Sequence, residues 1–296
     1  MWWVRQTNLD GFRVDAVKHF ERVALRNLRA SLAEIEKDAP VEYLLIGETY
    51  TWSDGHDDIA AYVAPDQLHG QFDFPLHWPT VSVLARYEGT FHDLDAAART
   101  SDTAYPEGAV MGPFIGNHDV PRYYSHAAGD IEQLSGDGAK EQGWENPPGA
   151  HDWDQPYQRL YLGFAFMLTQ PGVPLIYYGD EVGLPGAGDP DNRRFMPWGD
   201  EVTWRGEDLL ERVRLLGRTR KEIAALRTGD RETLHVSDDL YVYARDAGGE
   251  ELAIVALNRS EVSRSVDFSL PDRLAEVPRL TFQHRLREGT EVAEAG

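Results

Sequence analysis

Three acidic residues, Asp15, Glu48 and Asp119, lie 33 and 71 residues apart, and each stands at the end of a short apolar run: GFRV, YLLIG, and MGPFIG followed by Asn117 and His118. If those runs are successive parallel strands, their C-terminal ends open on one face and the carboxylates meet there. Like charges gathered in one cleft repel and resist desolvation, so such a set persists where chemistry uses it or a cation neutralises it. Glycoside hydrolysis asks for this set: one carboxylate as nucleophile, one protonated carboxyl as general acid, and buried charge that stabilises an oxocarbenium-like transition state. The plainer reading makes Asp15 and Asp119 caps of the helices that follow their strands.

The surrounding pattern says what would position them. Gly11 to Asp15 predicts a short strand, and Val17, Phe20, Val23, Ala24, Leu28 and Leu32 recur at three- and four-residue steps, the spacing of a helix with one apolar face. Tyr43 to Gly47 is an unbroken apolar run, as expected of a parallel strand covered on both faces. Further strands are predicted at Gln71 to Phe74, Met111 to Gly116 and Val173 to Tyr178, the last buried, with helices around Trp78 to Tyr87, over Tyr157 to Leu168 and over Gly206 to Leu226. Ser125 to Pro156 is rich in Gly, Pro and acids and reads as a long surface excursion. About five strands thus precede Thr228. Beyond it LYVYAR, ELAIVALN and SVDFSL are short period-two segments separated by turn residues such as Gly248 and Gly249. The chain reads as an α/β domain over residues 1–228 and an all-β domain over 229–296.

Composition narrows the partners. With 29 basic and 50 acidic side chains the net charge is −21, which argues against a nucleic-acid backbone and suits a neutral substrate held by hydrogen bonds and stacking. An apolar content of 42% is ample for a packed core, and the absence of cysteine excludes disulfides, thiolate metal sites and Cys nucleophiles. The first residues, MWWVRQTNLDGFRVD, lack the parts of a signal peptide, and no apolar run approaches the roughly 18 residues of a membrane span. The chain reads as soluble, with its compartment left open.

GFRVDAVKH (Gly11 to His19), the pair Gly47-Glu48 and NHD (Asn117 to Asp119) resemble three sequence signatures of the α-amylase family, glycoside hydrolase family 13, in the family's order. IYYGDEVG (Ile176 to Gly183) is similar to the segment at that family's last barrel strand, and DPDNR (Asp189 to Arg193) to a stretch that grips sugar in the inner subsites. The resemblance implies that Asp15 is the nucleophile, Glu48 the general acid/base and Asp119 the transition-state stabiliser. It gives substrate-binding roles to Arg13, whose guanidinium would face the nucleophile, and to Lys18, His19, His118, Asp189 and Arg193. The activity it implies is retaining hydrolysis of α-1,4-glucosidic bonds in starch, maltodextrin or cyclodextrin, with transglycosylation next. A non-catalytic carbohydrate-binding fragment is the reading of a different class.

The family's fold is a (β/α)8 TIM-type barrel, in which the segment like Gly11 to Asp15 is the fourth strand. The resemblance therefore implies a partial barrel, about strands four to eight, with a C-terminal antiparallel β-sandwich, and earlier strands missing from this sequence. Of the family's calcium ligands only the backbone of His19 would remain. Tyr50, Trp52, Trp78 and Trp144 fit sugar-stacking platforms and ordinary packing equally well.

Overall fold

The computed structural model describes residues 2–38, 41–248, 251–271, 280–283 and 292–295. The chain divides into two compact units, one formed by Met1–Pro79, Ala96–Phe114 and Gly172–Leu175 and the other by Thr80–Asp95, Ile115–Pro171 and Ile176–Gly296.

The first unit is built on parallel strands. Helix α1 (Trp2–Thr7) leads to β1 (Gly11–Val14), α2 (Arg22–Glu36), β2 (Leu44–Gly47), α3 (His56–Ala60) and β3 (Gly70–Gln71). Strand β1 pairs in parallel with β2, from Gly11 opposite Leu44 to Val14 opposite Gly47, and β2 pairs in parallel with β3. Parallel bridges from Phe72 to Gly112 and from Phe114 to Leu175 carry the pairing on to two more segments. All five strand regions expected before Thr228 are therefore joined in chain order. Close approach of the first two strands requires a glycine, since a Cβ at Gly11 would collide with the Leu44 carbonyl.

The apolar stripe of α2 explains its packing. Leu25 and Leu32 are buried with Val17, Leu45 and Leu68, while Leu28 and Ile35 pack against that cluster. Arg29 grips Glu36 with both terminal nitrogens, at 2.9 and 2.6 Å, and Glu36 accepts the Tyr43 N–H at 2.8 Å. This clasp ties the end of α2 to the approach to β2, and the Arg29 guanidinium holds Glu36 below the usual carboxylate range. The helix starts at Arg22 and not at Val17, because Ala16 takes a left-handed conformation and Val17–His19 forms a separate 3-10 turn.

Two expectations of burial are corrected here. Leu44 is 38% exposed whereas Leu45 is fully buried, so β2 is not covered on both faces. The run from Val173 joins the sheet through two backbone bonds, Val173 N–H to Met111 O at 2.8 Å and Leu175 N–H to Pro113 O at 3.0 Å, and Val173 and Ile176 are 48% and 44% exposed. An apolar run records a tendency to pair and does not say how many sides are covered. The helix expected around Trp78 is α4 (Phe74–Thr80), continued by a π-helical turn over Val81–Ala85. Asp73 caps α4 by accepting the Leu76 N–H at 3.1 Å, and it receives the Tyr105 hydroxyl at 2.8 Å. Helix α5 (Phe91–Ala104) follows.

The second unit holds α6 (Tyr123–Ala128), α7 (Asp137–Glu145), α8 (Gln155–Thr169), α9 (Trp204–Glu222) and α10 (Ala224–Thr228). Ser125 to Pro156 is largely exposed, as its composition suggested, but it has regular structure of its own. It contains α7 and part of α6, buries Ser125, His126, Ala127, Ile131 and Ala139, and closes Asp130 on His151 at 2.7 Å. Helices of six and nine residues are too short to show their period through Gly and Pro. The single helix expected over Gly206 to Leu226 is broken at Ile223, where the backbone becomes extended.

Strands β4 (Asp230–Val236), β5 (Leu240–Asp246) and β6 (Leu252–Asn258) form an antiparallel sheet in chain order, and β7 (Leu280–Gln283) pairs antiparallel with β8 (Val292–Ala295). SVDFSL is not a strand; β4, whose sequence DRETLHV carries four charged or ionisable residues, supplies the third strand instead. An edge strand tolerates such charge, which is why its apolar alternation is weak. Residues 240–245 of β5 are buried on both faces, with Tyr243 Oη 2.5 Å from Thr169 Oγ1 and Tyr241 Oη donating to Asp95 at 2.8 Å. Gly248 turns at φ 76°, and Gly249 lies outside the described residues. Among the described residues no helix is long and apolar enough to cross a membrane.

Candidate active site

In the first unit the ladder of β1 and β2 continues into the candidate residues. Glu48 N donates to Val14 O at 2.8 Å and Val17 N to Glu48 O at 2.8 Å, so Asp15 and Glu48 leave adjacent parallel strands at the same level. Arg13 faces both: its Nη1 is 2.5 Å from Asp15 Oδ1 and its Nη2 4.0 Å from Glu48 Oε2. Arg13 and Asp15 stand two positions apart at the end of β1, with Val14 between them, which sets their side chains on one face. The environments differ sharply, because the Glu48 side chain is 6% exposed and that of Asp15 71%. Ala16, at φ 47° and ψ 47°, turns its N–H onto Glu48 Oε2 at 2.9 Å. A non-glycine residue rarely adopts this conformation, so the turn after Asp15 is strained in a way that gives the buried carboxylate a donor.

Lys18 reaches Tyr50 O at 2.9 Å and so ties the turn after β1 to the segment after β2. His19 is exposed, and among the described residues no group bonds its ring. Calcium takes six to eight oxygen ligands. Among the described residues no group of three or more His, Cys, Asp or Glu could hold a metal, and the His19 backbone carbonyl supplies a single oxygen, so the described residues do not by themselves make a calcium site.

In the second unit the remaining candidates gather around Arg193. Its Nε is 3.0 Å from Asp189 Oδ1 and donates to His118 O at 3.1 Å, while its Nη2 is 3.6 Å from Asp119 Oδ1. Asp119 Oδ2 is 3.3 Å from His118 Nε2, and the Asp119 N–H donates to Asn117 Oδ1 at 2.8 Å. His118, Asp119, Asp189 and Arg193 thus form one polar cluster from two stretches about 70 residues apart.

The aromatic residues separate by burial. Trp78 is 3% exposed and donates its Nε1–H to Thr51 O at 2.8 Å, which makes it a packing residue. Trp52 is 48% exposed and lies on Trp78, with ring centres 4.6 Å apart. Trp144 is 75% exposed on α7. Sequence reasoning missed the Ala16 N–H, since a backbone donor has no residue signature. It also missed Arg122 and Asp180, a fully buried pair at 2.9 Å; Asp180 stands inside IYYGDEVG and Arg122 three residues after NHD, which was the available signal.

Residues 1–141 match the family described as alpha amylase, catalytic domain. That stretch, 141 of the 296 residues, resembles the α-amylase family. The chain is 26% identical over 276 residues to a cyclomaltodextrinase of Geobacillus thermopakistaniensis, covering 92% of this chain and 40% of that protein. It is 29% identical over 252 residues to a cyclomaltodextrin glucanotransferase of Bacillus sp. (strain 6.6.3), covering 85% of this chain and 30% of that one. The crystal structure of the α-amylase of Geobacillus thermoleovorans, complexed with acarbose, superposes with a TM-score of 0.68 at 26% identity, over 86% of this chain and 49% of the other. The chain therefore spans half or less of the length of these α-amylase-family proteins.

Proposed function

We propose that this chain carries the catalytic residues of a retaining α-glucan hydrolase of the α-amylase type, acting on α-1,4 bonds of starch, maltodextrin or cyclodextrin. The observation that carries this reading is the pair of carboxylates, Asp15 and Glu48, on adjacent parallel strands with one guanidinium against both. Two carboxyl groups in unlike surroundings are what a nucleophile and an acid/base require. Asp15, exposed and held by Arg13, attacks the anomeric carbon and forms a glycosyl-enzyme ester. Glu48, buried beside it, gives its proton to the leaving oxygen and then takes one from the incoming water. Asp119, with His118 beside it, holds sugar hydroxyls and stabilises positive charge as it develops, while Asp189 and Arg193 bind the adjoining sugar and Lys18 and His19 lie toward the leaving group.

In this reading the five parallel segments are about strands four to eight of a (β/α)8 barrel over residues 1–228, and residues 229–296 are a C-terminal antiparallel β-sandwich. No step is routed through calcium. Transglycosylation, in which a sugar hydroxyl replaces water in the second step, is supported by the likeness to a glucanotransferase.

The test is release of reducing sugar from soluble starch and maltoheptaose by the purified chain, with Glu48→Gln as control. Release that falls by roughly 10³-fold in Glu48→Gln is the expected outcome. Binding of maltoheptaose without turnover by the folded chain would replace the hydrolase with a carbohydrate-binding role.

A further inference from the structure

Arg122 is fully buried three residues after Asp119, and its contacts reach into the stretch that carries Asp189 and Arg193. Its Nε donates to Asn192 O at 2.8 Å, and its Nη1 to Tyr178 O at 2.5 Å and to Asp180 Oδ1 at 2.9 Å. Its own N–H donates to Gly186 O at 3.0 Å, and Asn192 returns a bond from Nδ2 to Val120 O at 2.8 Å. Tyr177 lies over the guanidinium at 4.0 Å. Asp180 is wedged against the backbone before Asn117, where a Cβ on Gly116 would collide with its carboxylate.

We propose that the Arg122–Asp180 pair is the positioning device of the Asp119 cluster, locking residues 116–122 onto residues 178–193 so that Asp119 and Arg193 keep their mutual geometry. The pair is a poor stabiliser. Asp180 Oδ2 and Arg122 Nη2 are buried without hydrogen-bond partners, and replacing a buried ion pair by apolar residues is commonly neutral or favourable. Its geometry is informative where its energy is not, since a planar fork that meets three oxygens from one stretch fixes that stretch in both distance and angle. Arg122 and Asp180 are positioning residues: they touch neither sugar nor reacting atoms. Burial pushes Asp180 up to about 6 against the pull of Arg122, and the neighbouring Glu181 adds to the rise.

The catalytic side of this inference rests on the proposed function, and its structural side does not, so two readouts separate them. Amide hydrogen exchange of the purified chain is compared with that of Asp180→Asn and Arg122→Lys. Exchange about tenfold faster in both segments, 116–122 and 178–193, with peptides of α8 and β5 unchanged, supports the lock. Faster exchange in only one segment, no change, or a uniform rise across the chain overturns it. Should Asp180→Asn fail to fold, Asn192→Ser, which removes only the bond to Val120, carries the same comparison. In the turnover assay Asp180→Asn lowers kcat more than it raises KM. A parent chain without turnover defeats the enzymatic reading and leaves the exchange result to decide the lock.

Discussion

Asp15 and Glu48 show how a carboxylate's task follows from what surrounds it. Asp15 stands in water against Arg13, and Glu48 is enclosed with a backbone N–H on one oxygen. Arg13→Ala is expected to lower kcat by roughly 10²-fold with little effect on folding, measured as glucan turnover beside the thermal midpoint. Ala16 is the more delicate position. Ala16→Val places a β-branched residue at positive φ, at a cost of about 1–3 kcal/mol, and pulls the N–H away from Glu48, whereas Ala16→Gly keeps both fold and activity. Thermal midpoints and turnover of the two variants check this. The carboxylates were legible because their motifs are short and ordered. Ala16 was not, because nothing in alanine's chemistry announces a left-handed turn.

Among the larger elements, the five strand regions were readable from apolar runs bounded by polar residues, and their parallel order followed from the helices between them. What escaped was coverage. Leu44 and Val173 belong to runs that read as buried, yet their side chains are exposed, while β5 reads as alternating and is buried on both faces. Period reports direction along a strand, and neighbours from distant sequence decide what covers it. Helix α4 offers a test. His77 lies flat on Phe114 at 4.5 Å, and burial lowers it from its ordinary 6.5 to about 4. The unfolded chain therefore binds a proton that the folded chain refuses between those values, so this contribution is complete above pH 6.5 and is lost as pH falls toward 4. The loss amounts to about 3 kcal/mol. His77→Phe is expected to flatten that part of the stability curve, measured by denaturant titration from pH 4 to 7. Asp180 acts with opposite sign, since its raised value favours the folded state as pH falls below about 6, so the difference between parent and variant isolates His77.

Across the chain as a whole, a net charge of −21 and the uncharged glucan proposed as substrate make a quantitative pairing. Glucan affinity is expected to change by less than about twofold between low and physiological salt, whereas binding carried by charge would fall steeply. Isothermal titration with maltoheptaose at the two salt concentrations measures it. The likeness to the α-amylase family was legible over residues 1–141, where three of the motifs lie, and the antiparallel sheet beyond them was legible from turns and alternation except at β4. The charged alternation of that edge strand is the price of keeping its outer side unattractive to other strands.

The left-handed turn at Ala16 also bears on where a proton travels. With one oxygen of Glu48 fastened to an amide and facing Arg13, Oε1 is the atom left, in the proposed mechanism, to carry hydrogen out to a leaving group and back from water. A single working oxygen makes the delivery one-sided: glycosidic oxygens that lie on that flank of the carboxyl plane are served, and those presented from the other flank are not. Bond selectivity would then begin in the backbone, before any sugar-binding side chain has discriminated.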